Sequence, residues 1–159
     1  MTCTVIIIDD HPLFSRGLAQ LIETQKTLKV IGTAKDRSEA LDLINTTTPD
    51  LAIVDLNLGQ EDGLELIKDI ISFKPQTKIL VLSMHDERFY AERALNSGAK
   101  GYIMKEEAET QVINAIQTVL SGDVYLSAAE KKRLSQNSKG SSDTQTNFDS
   151  ISSLSDRQF

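Results

Sequence analysis

This chain has one cysteine, no tryptophan, three prolines, two histidines and no long apolar run. A single thiol, Cys3, cannot close an internal disulfide, so a disulfide-built fold is excluded and a reducing compartment is expected. His11 and His85, with that one cysteine, make a zinc site improbable. No stretch approaches the roughly 20 apolar residues of a membrane span. The N-terminus lacks the basic segment and the long apolar core of a secretion signal. Positive charge is scarce as well, with 17 Lys and Arg against 23 Asp and Glu. Duplex binding needs a basic footprint, so this chain is not expected to hold DNA by itself. These absences leave a soluble, cytoplasmic, mildly acidic protein, and 159 residues suffice for about one domain with an appendage.

What is present is organised around residues 50–58, DLAIVDLNL. An unbroken aliphatic run of this length fits a strand buried on both faces of a parallel sheet, and it ends on a lone carboxylate, Asp55. Ligands of open α/β sheets bind beyond the carboxyl ends of the strands, which is where Asp55 would be delivered.

The rest of the chain repeats that design. Residues 5–8 form a β-branched run stopped by Asp9 and Asp10, followed by His11, read as a surface residue, and Pro12. Leu13, Phe14, Leu18, Leu21 and Ile22 then recur at helical spacing. Residues 28–34 read as a weaker strand, broken by Lys29 and Gly32 and suited to a sheet edge. Ser38 is the expected N-cap of a second helix, and a polar loop is expected over 57–63. Leu64, Ile67, Ile70 and Ile71 mark a third helix, and KILVLS (78–83) marks a strand ending on Ser83. A helix with a thin apolar face spans 88–97, a strand over 101–104 ends at Lys105, and a strongly periodic helix runs to Gly122. Strands alternating with helices predict a doubly wound, five-stranded parallel sheet. Beyond it, 128–134 is expected as a short helix, and 135–147, rich in Ser, Asn, Gln, Gly and Thr, as a flexible linker.

Strand ends one, three, four and five thus bring Asp9 with Asp10, Asp55, Ser83 and Lys105 to one edge of the sheet. Crowded carboxylates repel unless cations compensate. Lys105 supplies one positive charge, and Mg²⁺, which prefers oxygen ligands and shares phosphate oxygens, would supply two more. Such a set suits phosphoryl transfer, with Asp55 attacking in line to form an aspartyl phosphate. Each member alone has a plainer reading: Asp9 and Asp10 as helix caps, Asp55 as a turn residue, Ser83 and Lys105 as solvated side chains. Agreement of all four strand ends favours the site.

The stretches IIIDDHP (6–12), AIVDLNL (52–58), VLSMHDE (81–87) and GAKGYIMK (98–105) resemble the response-regulator receiver domains of two-component systems, and DDHP with SMHDE resembles the NarL/FixJ subfamily. The resemblance covers roughly 2–121 and implies a flavodoxin-like receiver fold. By position it implies Asp55 as phosphoacceptor, Asp9 and Asp10 as the acidic pair with Asp10 the more direct Mg²⁺ ligand, and a backbone carbonyl of Asn57 on the metal. It further implies Ser83 as switch hydroxyl, Lys105 as its partner, Tyr102 as the aromatic whose rotamer reports the state, a sensor histidine kinase as phosphodonor, and dimerisation as one output.

Two positions depart from the family's usual pattern. Gly59 stands where proline is common, which is expected to loosen the loop, and Met84 stands where a small residue is common, which is expected to narrow access to the site. Residues 154–158, LSDRQ, resemble the opening of that subfamily's helix-turn-helix domain. The organisation expected is therefore a receiver over 1–122, a short helix and linker over 123–150, and over 151–159 the stub of an effector domain, otherwise missing, through which alone DNA would be bound. The rivals are weaker. A pseudo-receiver that works without phosphorylation would not need Asp10, Asp55, Ser83 and Lys105 together. A nucleotide-binding enzyme would show G-x-G-x-x-G after the first strand, and a hydrolase forming an aspartyl phosphate would carry its nucleophile on that strand in a D-x-D.

Overall fold

A computed structural model describes residues 2–140. The apolar runs become strands β1 (Cys3–Ile8), β2 (Leu28–Ala34), β3 (Leu51–Asp55), β4 (Lys78–Ser83) and β5 (Gly101–Met104). All neighbours pair in parallel, in the order β2-β1-β3-β4-β5. Successive side chains of a strand point to opposite faces, and both faces are covered here. Val5 and Ile7 enter one core, beneath α1 (Pro12–Ile22) and α5 (Ala108–Leu120). Ile6 and Ile8 enter the other, beneath α2 (Arg37–Thr46), α3 (Gly63–Phe73) and α4 (Glu87–Ser97). This is a doubly wound, flavodoxin-like sheet. Burying an aliphatic side chain contributes about 1.5–3 kcal/mol, so the fully buried centre of β1, β3 and β4 is a rigid mount for the side chains at its carboxyl edge.

Local chemistry sets the boundaries. Pro12 opens α1, where its missing N–H costs nothing. The cap of α2 is Asp36, which accepts from the Glu39 amide at 2.9 Å, so the expected cap Ser38 lies inside the helix. Asp is as good a cap as Ser, and its extended backbone suits that position. Asp62 and Asp86 cap α3 and α4 in the same way, and Gly98, at φ 118°, ends α4. As expected, β2 is an edge strand, with Gly32 just past a slip in its pairing with β1. Leu13 leaves the expected stripe of α1 and is 81% exposed.

Two further expectations need correction. The stretch expected as a polar loop is a small antiparallel hairpin, Asn57–Leu58 against Glu61–Asp62, with Leu58 buried. Gly59 turns it at φ 64°, a conformation that proline, fixed near −65°, cannot adopt. The second correction concerns the segment after α5, where the backbone keeps packing beyond Gly122. Tyr125 accepts from the Tyr102 amide and donates its own N–H to the Lys100 carbonyl, extending the sheet beside β5. Leu126 is buried. Helix α6 (Ala128–Gly140) then lies against α4, so residues 135–140, expected as linker, are helical. Its start is fixed by the Ser127 hydroxyl, which accepts from the Glu130 amide, and its middle by the Glu130–Arg133 ion pair and by Leu134 packed on the core. The rest of the expected linker and the whole expected effector stub fall at 141–159, outside the described residues.

Candidate functional site

The parallel sheet carries the expected residues to one edge. Asp9 follows β1, Asp55 ends β3, Ser83 ends β4 and Lys105 follows β5. Lys105 Nζ lies 2.7 Å from Asp9 Oδ2 and 3.0 Å from Asp55 Oδ2, and its side chain is only 7% exposed. The Asn57 amide donates to the other Asp55 oxygen at 3.0 Å. Both oxygens of Asp55 are thus held, one by a charge and one by the backbone.

Burial is the largest influence on Asp55 and pushes its carboxyl above the usual aspartate value. The Asn57 amide and the Lys105 ammonium oppose that push without cancelling it, and the nearby Asp9 charge adds to it. For Lys105 burial acts downward, but hydrogen bonds to Asp9 and Asp55 outweigh it and hold the ammonium above the ordinary lysine value. At neutral pH, therefore, the lysine is charged.

His11 is a surface residue, as expected, with its ring 59% exposed, yet its Nδ1 sits 2.9 Å from Asp9 Oδ1, 3.1 Å from Asp10 Oδ1 and 3.2 Å from Lys105 Nζ. The contact with Asp9 requires a proton on Nδ1 and the contact with Lys105 requires its absence, so the ring serves one or the other at a time. A histidine beside a proline reads as a surface residue, and only the geometry brings it to the pocket. Phe14 is the second residue whose role sequence reasoning missed. It packs on the core as its place in the apolar stripe predicts, and its ring face also stands 4.6 Å from Lys105 Nζ.

Ligand atoms of Asp9, Asp10, His11 and Asp55 lie within 4.8 Å of one another. Asp10 Oδ1 is buried, and the neighbouring His11 nitrogen is not aligned to donate to it, so it has no hydrogen-bond partner. Three carboxylates against one ammonium leave negative charge in excess around a donorless oxygen, and these oxygen donors fit a hard divalent cation. The acidic pocket has the composition typical of receiver domains that bind Mg²⁺.

The remaining expected residues sit beside this cluster. Ser83 is fully buried, and its Oγ accepts from the His85 amide at 2.9 Å. Tyr102 is turned inward, 1% exposed, with its hydroxyl donating to the His85 carbonyl at 2.8 Å. Burial pushes its phenol up to about 12, against an opposing contact with Ser83.

Comparison with known proteins agrees with this geometry. The family model described as the response regulator receiver domain matches residues 5–117. The chain belongs to that family. It is 37% identical over 123 residues to the oxygen regulatory protein NreC of Staphylococcus carnosus, an alignment covering 77% of this chain and 57% of that one. The chain spans about half the length of several such curated relatives. Among solved structures it resembles a two-component response regulator of the LuxR family from Aurantimonas sp. SI85-9A1, with TM-score 0.79 and 30% identity over 86% of this chain and 98% of that one. It also resembles a response regulator from Burkholderia pseudomallei solved with a phosphorylated aspartic acid, a calcium ion and citrate, with TM-score 0.67 and 31% identity over 75% of this chain and 69% of that one. The receiver domain described here is thus of the type found in NarL- and DegU-type two-component response regulators. Among the described residues no helix is long and apolar enough to cross a membrane.

Proposed function

We propose that Asp55 accepts a phosphoryl group from a sensor histidine kinase in a Mg²⁺-dependent step, and that the receiver passes the change to an effector domain. The observation that carries this reading is Lys105 bridging Asp9 and Asp55 beside the donorless Asp10 oxygen. Asp10, Asp55 and the Asn57 carbonyl would hold the metal, with Asp9 completing the acidic pocket. When bound, Mg²⁺ neutralises phosphoryl oxygens as charge builds in the transition state.

The chain's own residues do the rest. An Asp55 oxygen attacks phosphorus while the bond to the donor's leaving atom breaks; the donor departs with that electron pair, and Asp55 becomes an acyl phosphate. Lys105, released from the Asp55 oxygen, pairs with a phosphoryl oxygen. The Asn57 amide keeps the remaining Asp55 oxygen oriented. Ser83 exchanges its bond with the His85 amide for one to the phosphoryl group, which frees the segment that also anchors Tyr102. The new group adds about −1.5 to −2 charge. The altered α4–β5–α5 face is the natural place for a phosphorylation-dependent homodimer contact. DNA binding belongs to an effector domain beginning near 151–159, and the cytoplasm is the compartment the lone cysteine favours.

The test is intact-protein mass spectrometry after incubation with Mg²⁺ and acetyl phosphate. Wild type gains one phosphoryl group, and the gain disappears in Asp55→Asn and without Mg²⁺. No adduct, also with the cognate kinase, would return the chain to a module that signals without phosphorylation.

A further inference from the structure

We infer that Phe14 is a positioning residue for Lys105, holding the ammonium against the Asp9–Asp55 pair through the face of its ring. The Lys105 side chain is 7% exposed, so the groups around it decide where its ammonium rests. Two of its contacts are the carboxylates, at 2.7 and 3.0 Å, and on a further side the Phe14 ring stands 4.6 Å from Nζ. An ammonium over an aromatic face is attracted by the ring's quadrupole, more strongly where water is excluded. An aliphatic side chain of similar size would fill the space and supply none of that attraction.

Phe14 is itself held. It lies one turn into α1, half-buried, packed on the core shared with Leu18, Ile103 and Val112. Its outward side borders a shallow apolar groove with Leu21 and Ala108. The ring therefore links the α1–α5 packing to the position of the one cation inside the acidic cluster. Phe14 touches none of the reacting atoms and acts only through Lys105.

For the phosphorylation chemistry this inference rests on the proposed function, but its first readout does not. In wild type, protons held over a ring face are shielded, so the Lys105 ε-methylene NMR signal, assigned by its loss in Lys105→Met, is expected upfield of the other lysines. In Phe14→Leu and in Phe14→Met it returns to the common lysine position; in Phe14→Tyr it stays upfield. The second readout is the rate of labelling by acetyl phosphate, expected to fall about 3- to 10-fold in the Leu and Met variants, within the range a cation–π contact spans, and to stay within about twofold in Phe14→Tyr. An unmoved Lys105 signal in both aliphatic variants, or a failure of Phe14→Tyr to keep it, overturns the inference. If wild type takes up no phosphoryl group, the proposed function fails while the NMR comparison still decides the role of Phe14.

Discussion

The backbone of His85 joins Ser83 to Tyr102: its N–H donates to the Ser83 hydroxyl at 2.9 Å and its carbonyl accepts from the Tyr102 hydroxyl at 2.8 Å. One residue thus holds both side chains of the expected switch. Tyr102→Phe removes the phenolic bond and leaves a part-buried carbonyl without this donor. We expect a loss of about 1 kcal/mol of stability, read by urea unfolding, with a larger increase in amide exchange at His85 than within β4.

The same tyrosine should titrate late. Its phenol, at 10.0 in an unfolded chain, is pushed up to about 12 in the fold, chiefly by burial. Between those values the folded state keeps a proton that the unfolded state loses, so the contribution is complete below pH 10 and is lost as pH rises to about 12. Absorbance at the phenolate band, wild type minus Tyr102→Phe, should show a component that ionises near the upper value. A component at the ordinary value would mean the ring is not held inside.

Asp55 should cost stability when charged. Its carboxyl is raised in the fold, so the folded state binds a proton more tightly than the unfolded one, and stability falls as pH climbs past the usual 3.8. In EDTA at pH 7, Asp55→Asn should therefore raise the melting temperature. The gain should vanish in acid, where the carboxyl is neutral in both states. Equal melting temperatures at pH 7 would contradict the burial argument.

Gly63 admits no side chain. A Cβ there would lie 2.5 Å from Leu56 Cα and 2.9 Å from the Asp55 carbonyl oxygen, both backbone atoms of the segment that carries the site. Gly63→Ala should destabilise by roughly 1–3 kcal/mol in urea unfolding, and it should slow phosphoryl uptake because the displaced segment includes Asp55.

Met84, next to Ser83, is 68% exposed. If it restricts water and phosphodonors at the mouth of the site, Met84→Ala should speed labelling by acetyl phosphate and shorten the phosphoryl half-life together. An unchanged half-life would remove that role.

The parts of the fold legible in the sequence are those governed by long apolar runs. LAIVD and KILVLS have no polar side to show and had to be buried on both faces, which implied the parallel sheet and its carboxyl-edge residues. What stayed hidden depends on short-range competition or on distant partners. The hairpin at Asn57 to Asp62 has only Leu58 as an apolar anchor, and Asp36 competes with Ser38 for one cap. Residues 135–140 have linker composition, yet they continue a helix begun on Ser127 and anchored by Leu134. His11 and Phe14 become meaningful only because β1 and β5 bring Lys105 between them, across more than 90 residues of sequence.

The strand-like placement of Tyr125 beside β5 limits how this sheet can grow. It occupies the Tyr102 amide and the Lys100 carbonyl, and among the described residues it leaves only the short end of that edge past Tyr102, too short to template another strand. Strand addition is left to the opposite edge, β2. A sheet with a single open border can join an identical border once and then has nothing further to offer. Among the described residues, pairing through backbone edges therefore stops at two copies and gives no route to a fibre.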